Sequence, residues 1–282
     1  MSAPLLHGAW VRAPAAEPTQ VVLFLHGILG SGSNLRGVAQ AFVQADPSLA
    51  ALLVDLRLHG KSQGFAPPHD VHACARDLIA LEHSLPWPVT GVVGHRFGGK
   101  VALAYHGQRP ALTRVATLDS DPGSRPDRVG SEQTMSVLAM LAQLPRVYDR
   151  REDFVALVEA AGQPRGIADW LAMNLERSAS PTPPHFTLRT DLPGIHQLLE
   201  SYFSVDLWSV LESSEARVDV VIGGRSQVWG DEQRARIAAL SARRPTRIHV
   251  SVLPAAGHWV HVDDPQGLRG ALLGSPAQTT TP

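Results

Sequence analysis

The sequence predicts an α/β fold: a mostly parallel sheet of roughly eight strands with flanking helices and one helical insertion. Three observations carry this expectation. Short apolar runs alternate with amphipathic stretches along most of the chain. The runs are nearly continuous in Val, Leu and Ile, which suits strands buried on both faces. The alternation breaks once, between residues 122 and 216, and then resumes.

Strands are expected at residues 5–11, 20–25, 50–55, 89–94, 114–119, 218–222 and 247–253. Most are bounded by glycine, proline or a charged turn. The first alternates polar and apolar residues and has Trp10 near its end, so it reads as an antiparallel edge strand. Helices are expected at residues 34–45, 71–84, 97–108, 232–242 and 265–273. Inside the break, residues 135–144, 151–161, 167–177 and 194–203 repeat apolar positions at spacings of three and four, a helical period. A proline-rich loop, residues 178–184, lies among them. The layout is therefore a first core part (1–121), a helical lid (122–216), a second core part (217–273) and a disordered tail (274–282). A lid there would cover the carboxyl edge of the sheet, where open α/β sheets bind ligands. The plainer alternative is that these helices only pack on the scaffold.

The chain has 282 residues, enough for one core domain with a large insertion. With 25 basic and 26 acidic residues it carries a formal charge of −1, which leaves no electrostatic footprint for nucleic acid or an anionic membrane. Its single cysteine, Cys74, excludes an intramolecular disulfide and suits a reducing, cytoplasmic setting. Cys74 falls in a helical pattern and reads as a buried, inert thiol. Residues 1–14 lack a basic region followed by an apolar run, so no signal peptide is expected. The longest apolar runs are strand-length, too short to span a bilayer.

Four motifs carry chemistry. Leu25-His26-Gly27-Ile28-Leu29-Gly30-Ser31 follows a strand, and its glycines let backbone amides turn inward to stabilise an oxyanion. Asp55-Leu56-Arg57-Leu58-His59-Gly60-Lys61-Ser62 follows the next strand and reads as a structural turn beside the pocket, with His59 holding the loop. Gly94-His95-Arg96-Phe97-Gly98-Gly99-Lys100 follows a strand and opens a helix. It is the nucleophile-elbow pattern G-x-S-x-G with arginine where serine belongs. Ala255-Ala256-Gly257-His258-Trp259-Val260-His261 follows the last strand, and His258 would reach the elbow as general base. His26, His95 and Trp259 flank these positions and are candidate substrate contacts.

Together these motifs resemble the α/β-hydrolase superfamily, most closely a branch of small bacterial and mitochondrial esterases and thioesterases. Members of that branch carry HG-x-x-GS, D-x-R-x-HG-x-S, GHSMGGK, a D-x-x-P turn and a GG-x-S turn. This sequence shows GHRFGGK, Asp119-Ser120-Asp121-Pro122 and Gly223-Gly224-Arg225-Ser226. The resemblance spans about residues 5–273 and is loosest in the lid. It implies carboxylic-ester or thioester hydrolysis without metal or organic cofactor, and oxyanion amides at Ile28 or Leu29 and at Phe97. Many superfamily members place the acid where this chain has Ser226. The resembled branch takes it from the D-x-x-P turn, which maps to Asp119, with Asp121 and Asp231 as alternatives.

Arg96 changes the chemistry. A guanidinium stays protonated and is no nucleophile, so attack assisted by His258 is closed as written. Loss of a triad serine costs on the order of 10⁶ in kcat, about 8 kcal/mol of barrier. Ser31, Ser33 and Ser120 lie near the motifs, but none sits on an elbow. Four readings follow. The chain is a weakly active or inactive hydrolase relative, a pseudoenzyme. Or Arg96 and the helix N-terminus bind a carboxylate or other anion without turnover. Or Arg96 pairs internally with Asp119 or Asp121. Or the arginine is a one-base change from serine. The expected partner is a small-molecule ester, thioester or carboxylate, with the chain a monomer or homodimer.

Other features weigh less. His69-Asp70-Val71-His72 lacks further ligands at metal-site spacing, so no metal is expected. Trp170, Trp208 and Trp259 suit either an apolar pocket or the core.

Overall fold

A computed structural model describes residues 4–129, 131–178 and 185–274. The expected tail beyond Gly274 and most of the proline-rich loop lie outside the described residues.

The main sheet is built from β1 (Gly8–Val11), β2 (Gln20–Leu25), β3 (Leu49–Val54), β4 (Val89–His95), β5 (Arg114–Leu118), β9 (Arg217–Gly223) and β10 (Ile248–Leu253). Its spatial order is β1-β3-β2-β4-β5-β9-β10. Every neighbouring pair is parallel except β1 with β3, where Gly8 faces Val54 in antiparallel register. The sheet thus has seven strands rather than roughly eight, and the first is the antiparallel edge strand expected.

Burial on both faces explains the continuous apolar runs. Along β2, Val21, Leu23 and Leu25 point into one apolar cluster and Val22 and Phe24 into another. The first cluster lies under α2 (Val71–Glu82), α3 (Phe97–Gln108) and the insertion, and the second under α1 (Arg36–Ala45) and α11 (Pro265–Leu273). A helix α9 (Asp231–Arg243) joins β9 to β10, and a single turn, α10 (Val260–Asp263), follows β10.

The insertion between β5 and β9 contains α4 (Glu132–Leu141), α5 (Arg151–Ala160), α6 (Arg165–Leu171), α7 (Leu192–Ser204) and α8 (Trp208–Ser213). It also holds a small antiparallel sheet of β6 (Val147–Tyr148), β7 (Leu175–Arg177) and β8 (Phe186–Leu188). Two expectations are corrected here. Residues 175–177 extend as β7 against β8 instead of continuing the helix, and α8 is an additional helix. Strands of two or three residues are too short to display a period, and β7 is recognisable only through its partner.

Buried polar contacts seat the insertion on the core. Lys100 Nζ, fully buried in α3, donates to the carbonyls of Gly123 and Tyr202 at 2.6 Å each and of Val205 at 3.2 Å. The ammonium also lies 4.5 Å from the Tyr202 ring centroid. Burial pulls its pKa down to about 8. His106 Nε2 and Ser214 Oγ meet at 2.8 Å, and Ser201 Oγ accepts the Val71 amide at 3.0 Å. No helix among the described residues is long and apolar enough to cross a membrane.

Candidate active site

β4 ends at His95 and α3 begins at Phe97, so one residue, Arg96, makes the whole turn. Its backbone is strained, at φ 52 and ψ −114. The surroundings enforce it. The Arg96 amide donates to the Leu118 carbonyl at 3.0 Å, and its carbonyl accepts the Gly99 amide at 2.9 Å and Ser120 Oγ at 2.7 Å. The flanking glycines are required by contact. A Cβ on Gly94 would stand 2.1 Å from the Gly98 carbonyl oxygen, and one on Gly98 would stand 2.4 Å from that of Leu25. Strand end, helix start and the end of β2 therefore touch backbone to backbone.

Beside the elbow, the loop after β2 turns tightly. The Gly30 amide donates to the Gly27 carbonyl at 3.0 Å, and Leu29 takes the left-handed conformation at φ 60. Two histidines brace this loop reciprocally. His59 Nε2 accepts the Leu29 amide at 3.0 Å while its Nδ1–H donates to the Arg57 carbonyl at 2.9 Å. His26 Nε2 accepts the Leu56 amide at 3.0 Å while its Nδ1–H donates to the Gly27 carbonyl at 2.7 Å. Both imidazoles are buried and neutral. Burial lowers both pKa values, that of His59 to about 3 with His26 as a second cause. Asp55 completes the brace by accepting the Gly32 amide at 2.9 Å and the Lys61 amide at 3.0 Å.

This arrangement corrects two sequence expectations. The Leu29 amide is spent on His59, so it is not available to an oxyanion. Ile28, beside it, lines the cavity with Phe97, and neither amide has a described hydrogen-bond partner. His26 is fully buried, with both ring nitrogens engaged, and it supports the loop instead of touching a ligand.

His258 enters from the loop after β10, half-buried and facing the elbow. Burial and then the Arg96 charge hold its pKa down, to about 4, so the ring is neutral near pH 7. His95 Nε2–H donates to the His258 carbonyl at 2.7 Å and fixes that loop to the elbow. The His95 and His261 rings meet edge-on, with centroids 4.7 Å apart.

Asp119 follows β5 at φ 48 and is fully buried. Its carboxylate accepts Ser226 Oγ at 2.6 Å and the Gly223 amide at 3.2 Å. Burial raises its pKa, and Ser226, Arg96 and the Gly223 amide act against that rise. Among the described residues no hydrogen bond joins Asp119 to His258. The alternatives lie elsewhere. Asp121 accepts the Gly123 amide at 2.7 Å and stands 3.6 Å from Arg125, and Asp231 is exposed in the first turn of α9.

Between these groups lies a cavity of about 230 Å³. Its floor is Gly27 to Gly30, His95, Arg96 and Phe97, with His258, Trp259 and His261 on one side. The insertion supplies the roof: Ser131, Gln133, Thr134 and Val137 from the start of α4, Ile167 and Trp170 from α6, and Leu199 and Tyr202 from α7. Trp170 and Trp259 meet across it with centroids 5.6 Å apart. Trp208 instead packs on Trp229 in the core. Ser31, Ser33 and Ser120 are not part of the lining. The polar roof residues and His261 carry no signal in the linear sequence, because only folding brings them opposite the elbow.

Asp70 caps α2 by accepting the Ala73 amide at 2.5 Å. Among the described residues no group of three His, Cys, Asp or Glu side chains is arranged to hold a metal ion. Cys74 is buried in α2, and burial raises its thiol pKa far above the ordinary range.

The chain is similar to several known proteins. It is 29% identical over 261 residues to the sn-1-specific diacylglycerol lipase ABHD11 of Mus musculus, covering 89% of this chain and 79% of that one. It is 23% identical over 278 residues to Esterase YbfF of Escherichia coli (strain K12), covering 93% and 96%. A solved structure described as a marine microorganism esterase superposes with a TM-score of 0.78 at 19% identity, covering 95% of this chain and 97% of that one. Residues 22–271 match the family model of the alpha/beta hydrolase family. With the elbow, the parallel sheet and the histidine loop in place, this chain belongs to the alpha/beta hydrolase family.

Proposed function

We propose that the chain has the machinery of a carboxylic-ester or thioester hydrolase and that Arg96 leaves it weakly active or inactive. The observation that carries the reading is the elbow. Arg96 occupies the strained turn between β4 and α3, in one cavity with a neutral His258 and beside the amides of Ile28 and Phe97. A serine hydroxyl at that position would pass its proton to His258 as its oxygen attacked the acyl carbonyl. The Ile28 and Phe97 amides would take the negative charge. Asp119 would orient the base once the ring turned toward it. The guanidinium offers no lone pair for that attack. The insertion acts as a lid, since three of its helices roof the cavity. The largely apolar lining suits the acyl part of a small ester, and the relatives' names as lipases and esterases support that substrate class.

Hydrolysis of p-nitrophenyl butyrate tests this with the unaltered chain, His258→Ala, Arg96→Ser, and Arg96→Ser combined with His258→Ala. The serine variant is expected to turn over at least about 10³-fold faster than the unaltered chain, and the double variant to lose that gain. Comparable His258-dependent turnover by the unaltered chain overturns the reading.

One observation favours a second reading, binding of a carboxylate without turnover. The Arg96 charge stands at the N-terminus of α3 and acts on both His258 and Asp119. Helix dipole, free amides and guanidinium favour an anion at the same place. Calorimetry with butyrate is expected to show binding that Arg96→Ala abolishes. No heat with the unaltered chain sinks this reading.

A further inference from the structure

We propose that Asn174 is a positioning residue for the oxyanion turn, through which the helical insertion sets the shape of the active site. The effect on chemistry rests on the hydrolytic reading above; the structural coupling does not.

Leu29 occupies the left-handed region at φ 60, where a leucine does not rest by preference. Its two backbone groups are tied from opposite sides. The amide is held by His59 from the loop after β3 at 3.0 Å, and the carbonyl accepts Asn174 Nδ2–H at 3.1 Å. Asn174 ends the short 3-10 turn Ala172–Asn174, between α6 and β7 in the insertion, and lies 145 residues from Leu29 in sequence. The same Nδ2 donates to the Leu171 carbonyl at 3.2 Å, which pins the side chain to the end of α6. Both partners are carbonyls, so it is the nitrogen, not the amide oxygen, that must face them.

The consequence is geometric. α6 also carries Ile167 and Trp170 into the cavity roof. The segment that roofs the cavity therefore also grips the turn that presents the Ile28 amide. Movement of α6 away from the core releases the Leu29 carbonyl and loosens the Gly27–Gly30 turn. The oxyanion donors are in register only while the insertion is seated.

Asn174→Asp tests the coupling, because it keeps the size and removes the donor. Hydrogen exchange on the otherwise unaltered chain is expected to quicken at least about tenfold at the Leu29 and Gly30 amides, with β4 amides unchanged. In the Arg96→Ser background the same change is expected to lower kcat at least about tenfold while KM stays within about twofold, the pattern of a misplaced oxyanion donor. Unchanged exchange at Leu29 and Gly30, or an unchanged kcat, overturns the proposal. If Arg96→Ser alone gives no turnover, the hydrolytic reading falls, and exchange by itself decides the role of Asn174.

Discussion

Ser226 donates a 2.6 Å hydrogen bond to Asp119, although the two residues stand 107 positions apart and on the ends of different strands. Ser226 lies after β9, and its hydroxyl holds a buried carboxylate that follows β5. Ser226→Ala leaves one oxygen of a fully buried carboxylate without its main partner. The expected loss of stability is about 1–3 kcal/mol. A urea midpoint unchanged within error would show that water replaces the hydroxyl at no penalty.

The proton affinity of His258 is set first by burial and second by Arg96. Removing the cation should therefore raise the pKa of His258 from about 4 but leave it below 6.5, because the larger cause remains. Titration of the His258 ring by NMR in the unaltered chain and in Arg96→Ala checks this. Equal values in the two proteins would mean that the guanidinium does not act on the ring.

Acid should unfold the protein early. Burial holds His26, His59, His95, His258 and His261 below the ordinary histidine value of 6.5, His258 and His261 to about 4 and His59 to about 3. Unfolded histidines take up protons as the pH falls through 6.5, and these five do not. The stability they contribute is complete above pH 6.5 and is lost as the pH falls toward 4. Asp119 and Asp121 act in the opposite direction, since burial raises both. One such histidine yields about 1.36 kcal/mol per pH unit, so the expected loss between pH 6.5 and 4.5 exceeds about 2.7 kcal/mol. Calorimetry across that range measures it, and a Tm that stays flat contradicts the assignment of neutral buried rings.

Two glycine substitutions should move stability in opposite directions. Gly98→Ala forces a methyl to within 2.4 Å of the Leu25 carbonyl oxygen and 2.6 Å of that of His26, both backbone atoms that cannot swing aside. A loss of about 3 kcal/mol or failure to fold is expected. In α1, Gly37 meets nothing within 4 Å. There Gly37→Ala should gain up to about 1 kcal/mol from helix propensity. Urea unfolding of both variants separates contact from propensity. A stable Gly98→Ala protein would mean that the elbow does not need its close approach.

Much of the fold was legible in the linear sequence, because strand burial and helix amphipathicity are written in local apolar periods. All seven core strands and the helices that cover the sheet announce themselves within windows of a few residues. The elbow was legible because Gly94, Arg96 and Gly98 are neighbours in the chain, whereas the contacts of Gly98 with Leu25 and of Arg96 with Leu118 and Ser120 are long-range. That Arg96 stands at the centre of this turn is likewise plain from the chain alone, as is the position of His258 after the last strand.

What the tertiary structure decided depends on residues far apart in the chain. The Leu29 amide has the right place for an oxyanion donor, and only folding shows that His59 has taken it. His26 reads as a site residue until its two ring nitrogens are seen to be engaged. The partner of Asp119 is Ser226, a pairing that no local pattern encodes. β7 exists only because it pairs with β8, and the polar roof at Ser131, Gln133 and Thr134 acquires meaning only opposite Arg96. Local sequence determines which backbone shapes are cheap. Which hydrogen bonds are left for chemistry is settled by long-range competition for each buried donor and acceptor, and that competition is resolved only in the folded chain.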